Sequence, residues 1–148
     1  MKKLIFRILP AVILFVAAVV VLGGCVKKEN KNPLVNTEWK LINFVDVANN
    51  TKKTPEPDSE KCYTLKFLEK GDSLTAVSST NNFTGIYIID TQKLYISFKE
   101  LVGTEINEIG DGVSFVKSLN TVDKYMIDNN ILKLYYNDSK NCLEFKRR

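Results

Sequence analysis

The sequence predicts a mainly β fold of the α+β kind: a small antiparallel barrel or half-barrel of about eight strands with one short helix. Three observations lead there. After residue 36, apolar and polar residues alternate with period two through most of the chain, as Tyr63, Leu65 and Phe67 do against Thr64 and Lys66. Short turn clusters, Gly71-Asp72, Asp90-Thr91-Gln92 and Asp128-Asn129-Asn130, join successive runs and so favour neighbours that pair antiparallel. Helical spacing is confined to one stretch, where Phe115, Val116 and Leu119 recur.

Residues 1–24 have the three parts of a secretory leader: a basic start with Lys2, Lys3 and Arg7, an apolar stretch over 8–22, and small residues before a cut. The uncharged run over 8–26 approaches the roughly 20 residues of a membrane span, so hydropathy by itself also fits a retained helix. The position of Cys25 decides between the two. Leu22-Gly23-Gly24-Cys25 resembles the bacterial lipobox, in which the cysteine sulfur receives lipid and a peptidase cuts between Gly24 and Cys25. Each buried methylene contributes about 0.8 kcal/mol, so several acyl chains hold on a bilayer where one would dissociate. The expected organisation is a lipoprotein signal peptide at 1–24, a lipidated cysteine with a flexible tether at 25–35, and one β domain at 36–148. Val26 is not the aspartate that retains enterobacterial lipoproteins at the inner membrane. The resemblance therefore implies a lipid-anchored protein of the cell envelope, at the outer membrane of a Gram-negative host, periplasmic or surface-exposed.

The tether, with Lys27, Lys28, Glu29, Asn30, Lys31, Asn32 and Pro33, is polar and aperiodic. Trp39, Leu41, Val45 and Val47 then share one parity and Ile42 and Phe44 the other, which predicts a first strand bulged near Asn43. Residues 49–61 hold Pro55 and Pro57 among charged side chains and predict a long exposed loop, a tolerated insertion by default and a binding loop as the alternative. Alternation at 63–67 and 73–78 about Gly71-Asp72 predicts a hairpin. At 82–89 Phe83, Gly85, Tyr87 and Ile89 alternate with Thr84, Ile86 and Ile88, and the pattern returns at 93–98. Apolar residues on both parities predict a pair that is central or covered on both faces. Asp111 or Ser114 is available to cap the helix. Strands at 124–127, 131–136 and 142–146 complete the sheet. The helix is expected to cover an open end, and Trp39, Phe83, Tyr87, Phe98 and Phe115 to pack a filled interior.

Composition narrows the chemistry. Three of the positive charges in the net +4 belong to the leader, so the mature side chains sum to +1 and the electrostatic case for nucleic-acid binding falls away. Histidine is absent, which removes the commonest general base and the commonest metal ligand. No Gly-x-Ser-x-Gly and no phosphate-cradling glycine loop is found, so no enzyme and no cofactor are expected. Glu105, Glu108 and Asp111 in a glycine-bearing loop could converge on Ca²⁺, but their spacing fits no EF-hand, and a solvated, helix-capping loop is the expectation. Cys62 and Cys142 lie in a chain bound for a compartment that permits disulfides. They either pair, closing a long loop worth roughly 4 to 5 kcal/mol in the chain-entropy model, or remain two separate thiols.

Asn36-Thr37-Glu38-Trp39-Lys40-Leu41 resembles the opening tryptophan strand of META (HslJ-like) domains, and Asn81, Phe83, Gly85 and Tyr87 match that family's Asn-x-aromatic-x-Gly-x-Tyr core. Leu94-x-Ile96, Thr104, Phe115 with Leu119, Tyr125-x-Ile127 and Leu132-x-Leu134 follow in the family's order. The chain departs from it at two places: Ser79-Thr80 stands where the family commonly has Gly-Cys, and residues 106–108 where it has a second cysteine. The resemblance implies a β-rich envelope domain linked to stress, resistance or virulence without established catalysis. Function is accordingly expected to be a non-catalytic lipoprotein that binds an envelope or surface protein or supports envelope integrity, and the alternative is a lipocalin-like carrier of a small apolar ligand. Its expected partners are the membrane, through lipid on Cys25, and such a protein, with no nucleic acid and no signal for an oligomeric state.

Overall fold

The alternation that begins at Trp39 forms a ten-residue strand, β1 (Thr37–Asp46), with the expected bulge between Leu41 and Asn43. The structure, a computed structural model, describes residues 31–148. Gly24 and Cys25 lie outside the described residues. After β1 come β2 (Thr51–Lys53), β3 (Thr64–Phe67), β4 (Ser73–Val77), β5 (Asn82–Asp90) and β6 (Tyr95–Gly103). The helix α1 (Gly112–Asn120) follows, and then β7 (Lys124–Asp128), β8 (Ile131–Tyr136) and β9 (Asn141–Arg147). All pairings are antiparallel, in the order β2-β1-β3-β4-β5-β6-β7-β8-β9, and β9 returns to pair with β1. The sheet is therefore a ring, as the sequence predicts, with one strand more than expected.

That extra strand is β2, inside the predicted loop. Its three residues are all exposed and show no alternation, so nothing in their pattern marks a strand. It forms because β3 occupies the edge of β1 only from Thr37 to Lys40, which leaves the edge at Phe44, Val45 and Asp46 free to take Lys53, Lys52 and Thr51.

The turns carry the backbone conformations their residues suit. Gly71 and Asp72 both have positive φ, 72° and 46°, as a tight hairpin between twisted strands requires. Asn129, in the turn between β7 and β8, has φ 53°. Between β6 and β7 the ladder shrinks to one register pair, Tyr95 with Lys124. The helix bridges this weak seam: it starts where β6 ends and delivers the chain to β7 beside Tyr95, the residue where β6 starts. Its Phe115 and Leu119 are fully buried.

Trp39, Tyr63, Phe67, Tyr87, Phe115 and Phe145 fill the interior, each under 2% exposed. Edge-to-face contacts between Tyr63 and Phe115 (5.4 Å) and between Phe67 and Tyr87 (5.0 Å) order it. Of the two alternatives for β5 and β6, the pair is central in the sheet, between β4 and β7, and is not covered on both faces. Ile86 and Ile88 point away from Tyr87 and remain 38% and 51% exposed, because the ring has only one inside.

The tether is also shorter than predicted. Leu34 is fully buried in the core cluster, its amide donates to Asn32 Oδ1 (3.0 Å), and Asn32 Nδ2 donates to the Tyr87 hydroxyl (2.8 Å). Residues 32–35 thus belong to the domain rather than to a spacer. Two adjacent apolar residues, Leu34 and Val35, after a polar run have no periodicity to betray them. Leu34→Ala should lower stability in urea denaturation by about 3 kcal/mol through the cavity it leaves, whereas Lys31→Ala should stay within about 0.5 kcal/mol of the parent.

Candidate functional site

Three gatherings of polar side chains shape the loops and the outer face of the ring, and the first is a clasp at the end of the ring where β4 leaves and β5 enters. Asn81 is 3% exposed, and its carboxamide serves a whole loop. Its Oδ1 accepts from the Thr104 hydroxyl (2.7 Å) and the Ile106 amide (2.8 Å), and its Nδ2 donates to the Ile106 carbonyl (2.7 Å) and to Glu108 Oε1 (2.7 Å). Ser78 and Ser79 donate their hydroxyls to the same carboxylate at 2.5 Å each, and Thr80 does so at 3.1 Å. Burial pulls the Glu108 carboxyl upward, but these hydrogen bonds outweigh it and hold the pKa at about 2.

This arrangement disposes of the acidic trio as a cation site. Glu108 turns inward to hydroxyls, Glu105 is exposed, and Asp111 takes Lys53 Nζ (2.5 Å) and the Glu56 amide (2.8 Å). Among the described residues no group of three or more potential ligands gathers for a metal. Nor is the loop the solvated helix cap that its position suggests: Asp111 precedes α1 but makes no side-chain capping bond, since Lys53 and Glu56 already occupy its oxygens. The sign of a clasp in the sequence is the run Ser78-Ser79-Thr80-Asn81, four short polar side chains that suit a carboxylate but do not say which one.

The second place is the outward side of β9. Glu144 is 5% exposed, and its carboxylate accepts from Lys52 (2.8 Å) and Asn43 (2.9 Å), with Lys133 at 3.7 Å. β2 therefore has a function in packing: it carries Lys52 over this carboxylate. Cys142 lies two residues away on the same side, and burial, with the Glu144 charge adding to it and Lys133 and Lys52 opposing, pushes its thiol up to about 11. A thiol so poised is a poor nucleophile. Cys62 and Cys142 are both free. Their separation follows from the register: Cys142 of β9 sits opposite Val45 on one edge of β1, while Tyr63, next to Cys62, meets Leu41 on the other edge of β1. Two strand spacings and about four residues of rise exceed the roughly 7 Å that a disulfide can span.

The third is a cleft of about 460 Å³ between β1, the end of β9 and the loop over residues 54–60. The loop is not loose. Asp111 holds Lys53 and Glu56, the Asp111 amide donates to the Glu56 carbonyl (2.7 Å), and the Tyr63 hydroxyl donates to that carbonyl as well. Gly110 has φ 51°, and a Cβ there would run into the Glu56 carbonyl, so the 104–111 loop and the 54–60 loop approach as closely as they can. Lys40 lines the cleft from β1 and Lys146 and Arg147 from β9, with Asp58 and Glu60 on the loop. The only sign of Lys40 in the sequence is its parity, opposite to Trp39 and Leu41. Asp72-Ser73-Leu74, which resembles a short bacterial O-glycosylation acceptor, lies at a turn far from these places, with the Ser73 hydroxyl donating to the Lys70 carbonyl (2.7 Å).

The clasp sets a pH dependence. A carboxyl held at about 2 in the fold, against about 4.5 when unfolded, contributes stability that is complete above 4.5 and fades as pH falls through 2. Glu108→Gln should cost about 2 kcal/mol at pH 7. In chemical denaturation repeated at several pH values, the gap between the two proteins should close between pH 4.5 and pH 2.

The same fold is found in solved structures. An NMR structure of a protein from Burkholderia xenovorans superposes with a TM-score of 0.63 at 21% identity, over 78% of this chain and 83% of that one. A crystal structure of a DUF4847 family protein from Bacteroides vulgatus ATCC 8482 gives 0.61 at 15% identity, over 77% and 94%. In sequence, a Tannerella forsythia protein named "Putative lipoprotein" is 27% identical over 141 residues, covering 91% of this chain and 94% of the relative. The family described as "Domain of unknown function (DUF4847)" matches residues 25–147, the whole of the ring with its clasp, its buried Glu144 and its cleft, and the chain belongs to that family.

Proposed function

We propose that this chain is a non-catalytic lipoprotein of the bacterial cell envelope, held to the membrane by lipid on Cys25 and acting by binding through the outside of its ring. The tetrapeptide Leu22-Gly23-Gly24-Cys25 carries the reading. Two findings support it. The family match begins at residue 25, where the lipobox resemblance puts the mature amino end, and the Tannerella forsythia relative bears a lipoprotein name. Val26 in place of an aspartate favours the outer membrane.

Action without catalysis is supported by the lack of histidine in the sequence and by the engagement of the shielded carboxylates. Glu108, Asp111 and Glu144 are each occupied by hydrogen bonds that hold the fold together. The interior, filled by Trp39, Tyr87 and Phe115, counts against a carrier of small apolar ligands. On the outward side of β5 and β6, Ile86, Ile88 and Val102 are 38%, 51% and 68% exposed, a surface suited to an envelope protein partner.

The likeness to META domains belongs to this proposal too. Asn81 and Thr104, two of the residues that carry it, are bonded to each other at 2.7 Å. Ser79-Thr80 and residues 106–108 stand where that family commonly has Gly-Cys and a second cysteine, and here the Ser79 and Thr80 hydroxyls donate to the Glu108 carboxylate. A polar clasp thus does the tying at a place where the resembled family carries thiols.

Replacing the anchor residue tests the reading. Cys25→Ser should abolish metabolic labelling with palmitate and leave an unprocessed precursor on a gel; normal processing of that variant would overturn it. Protease digestion of intact against permeabilised cells then distinguishes display at the surface from residence in the periplasm.

A further inference from the structure

Lys40 and Lys146 are a directly opposed register pair across β1 and β9. Both lie on the side of the strands away from the core, since Trp39, Leu41 and Phe145 point inward. Like charges placed opposite each other destabilise a sheet. One of these two is buried as well: Lys40 is 7% exposed. A buried ammonium needs partners for its three donors. It gives a hydrogen bond to the Leu41 carbonyl at 3.1 Å, and its nearest carboxylate, Asp58, is 4.0 Å away and 72% exposed. Burial lowers the Lys40 pKa and Arg148 adds to this, while Asp58, Glu60 and Cys62 pull it up. The ammonium is therefore held close to one wall of the 460 Å³ cleft with donors to spare.

The cleft leaves one lysine uncompensated. Lys40, Lys146, Arg147 and Arg148 line it against two carboxylates, Asp58 and Glu60. Arg148 is occupied by Glu38 (2.9 Å) and Glu60 (3.2 Å), the Arg147 guanidinium lies over the Trp39 ring (5.8 Å), and Lys146 forms no ion pair among the described residues. Thr54 adds a hydroxyl-bearing side chain to the lining. With Arg148 held between Glu38 and Glu60, Arg147 over the Trp39 ring and Asp58 4.0 Å from Lys40, Lys146 is the lining cation left without a partner among the described residues. One anionic phosphate oxygen pair between it and Lys40 would relieve the repulsion of the two. A tetrahedral group with several acceptor oxygens can bridge two ammonium groups on neighbouring strands, and lysines serve phosphate as point charges.

We propose that this cleft binds the phosphate group of a small ligand or of a lipid headgroup, with Lys40 and Lys146 as the paired contacts on it. The site rests on side-chain geometry and is independent of how the chain is anchored. Its place in the fold admits both sources of phosphate: the Arg148 amide donates to the Glu38 carbonyl (2.9 Å), so the cleft adjoins the part of β1 that the amino-terminal segment enters.

Calorimetry on the full chain purified in dodecyl maltoside, a detergent without phosphate, tests this. Inorganic phosphate is titrated in one arm and phosphatidylglycerol in mixed micelles in the other, with sodium chloride at matched ionic strength as the control. Saturable heat with at least one phosphate source and none with chloride is expected, weakened tenfold or more by Lys146→Gln. That lysine is exposed, so the variant retains its fold. Lys40→Met, checked by circular dichroism, should weaken binding at least as much. Saturation by inorganic phosphate points to a soluble ligand, and saturation by phosphatidylglycerol alone to a headgroup. Absence of saturable binding in both arms, or a Lys146→Gln protein that binds as tightly as the parent, overturns the proposal.

Discussion

Pairing of β1 with β9 is the constraint on which the rest of the molecule depends. It joins the first strand to the last, with registers from Trp39 with Arg147 to Asp46 with Asn141. Without it the sheet would be an open ribbon with one face of Trp39, Leu65 and Phe145 in water and a long unpaired edge. Closure also sets an entropic demand, since about 100 residues must be ordered before the two strands meet. The local hairpins reduce that demand by bringing β3 to β6, and β7 to β9, together in sequence order. The seam between β6 and β7 has a ladder of one register pair, extended by the Tyr125 amide on the Leu94 carbonyl (2.9 Å), and α1 joins the two strands while its Phe115 packs on Tyr63 and Phe145.

Two kinds of force divide the work. Aromatic packing fills the inside, while the openings between strands and loops are held by polar groups whose partners are few and exact in number. Asn81 uses both atoms of its amide, and Glu108 accepts from three hydroxyls and that amide. A buried polar group that is fully satisfied selects one arrangement of its loop, because any other leaves donors or acceptors stranded. The clasp thereby positions residues 104–111, and Asp111 in turn positions the 54–60 loop that walls the cleft. A chain of hydrogen bonds thus runs from the end of the ring to the candidate binding site.

Much of this fold was legible in the residues. Period-two alternation located β1, β3 and the β5 and β6 pair, and turn clusters located the hairpins, because both depend on side-chain chemistry within a few positions. What escaped depends on partners far away in sequence. β2 exists only because β3 is short. Leu34 is core only because the ring leaves an opening for it. Asp111 reads as a helix cap and becomes an anchor for Lys53 and Glu56, since those donors arrive from another segment. Ile86 and Ile88 read as covered and face water, for apolar composition cannot distinguish a sandwich from the outer wall of a ring. The cleft was the least legible of all: Lys40 matters through Lys146, more than a hundred positions away.

Both chain ends leave the ring at the start of β1, as the contact of Arg148 with Glu38 shows. At the opposite extremity stand the turns after β1 and before β9, tied by the Val47 amide to the Lys140 carbonyl (2.8 Å). They are built of residues that accept left-handed backbone, with φ of 53° at Asn50, 54° at Asn137, 53° at Asp138 and 61° at Ser139. These two turns stand at the end of the ring away from the entry to β1 and away from the cleft. Insertions placed in such short polar turns would lengthen the far end of the ring and leave the β1–β9 ladder and the cleft as they are.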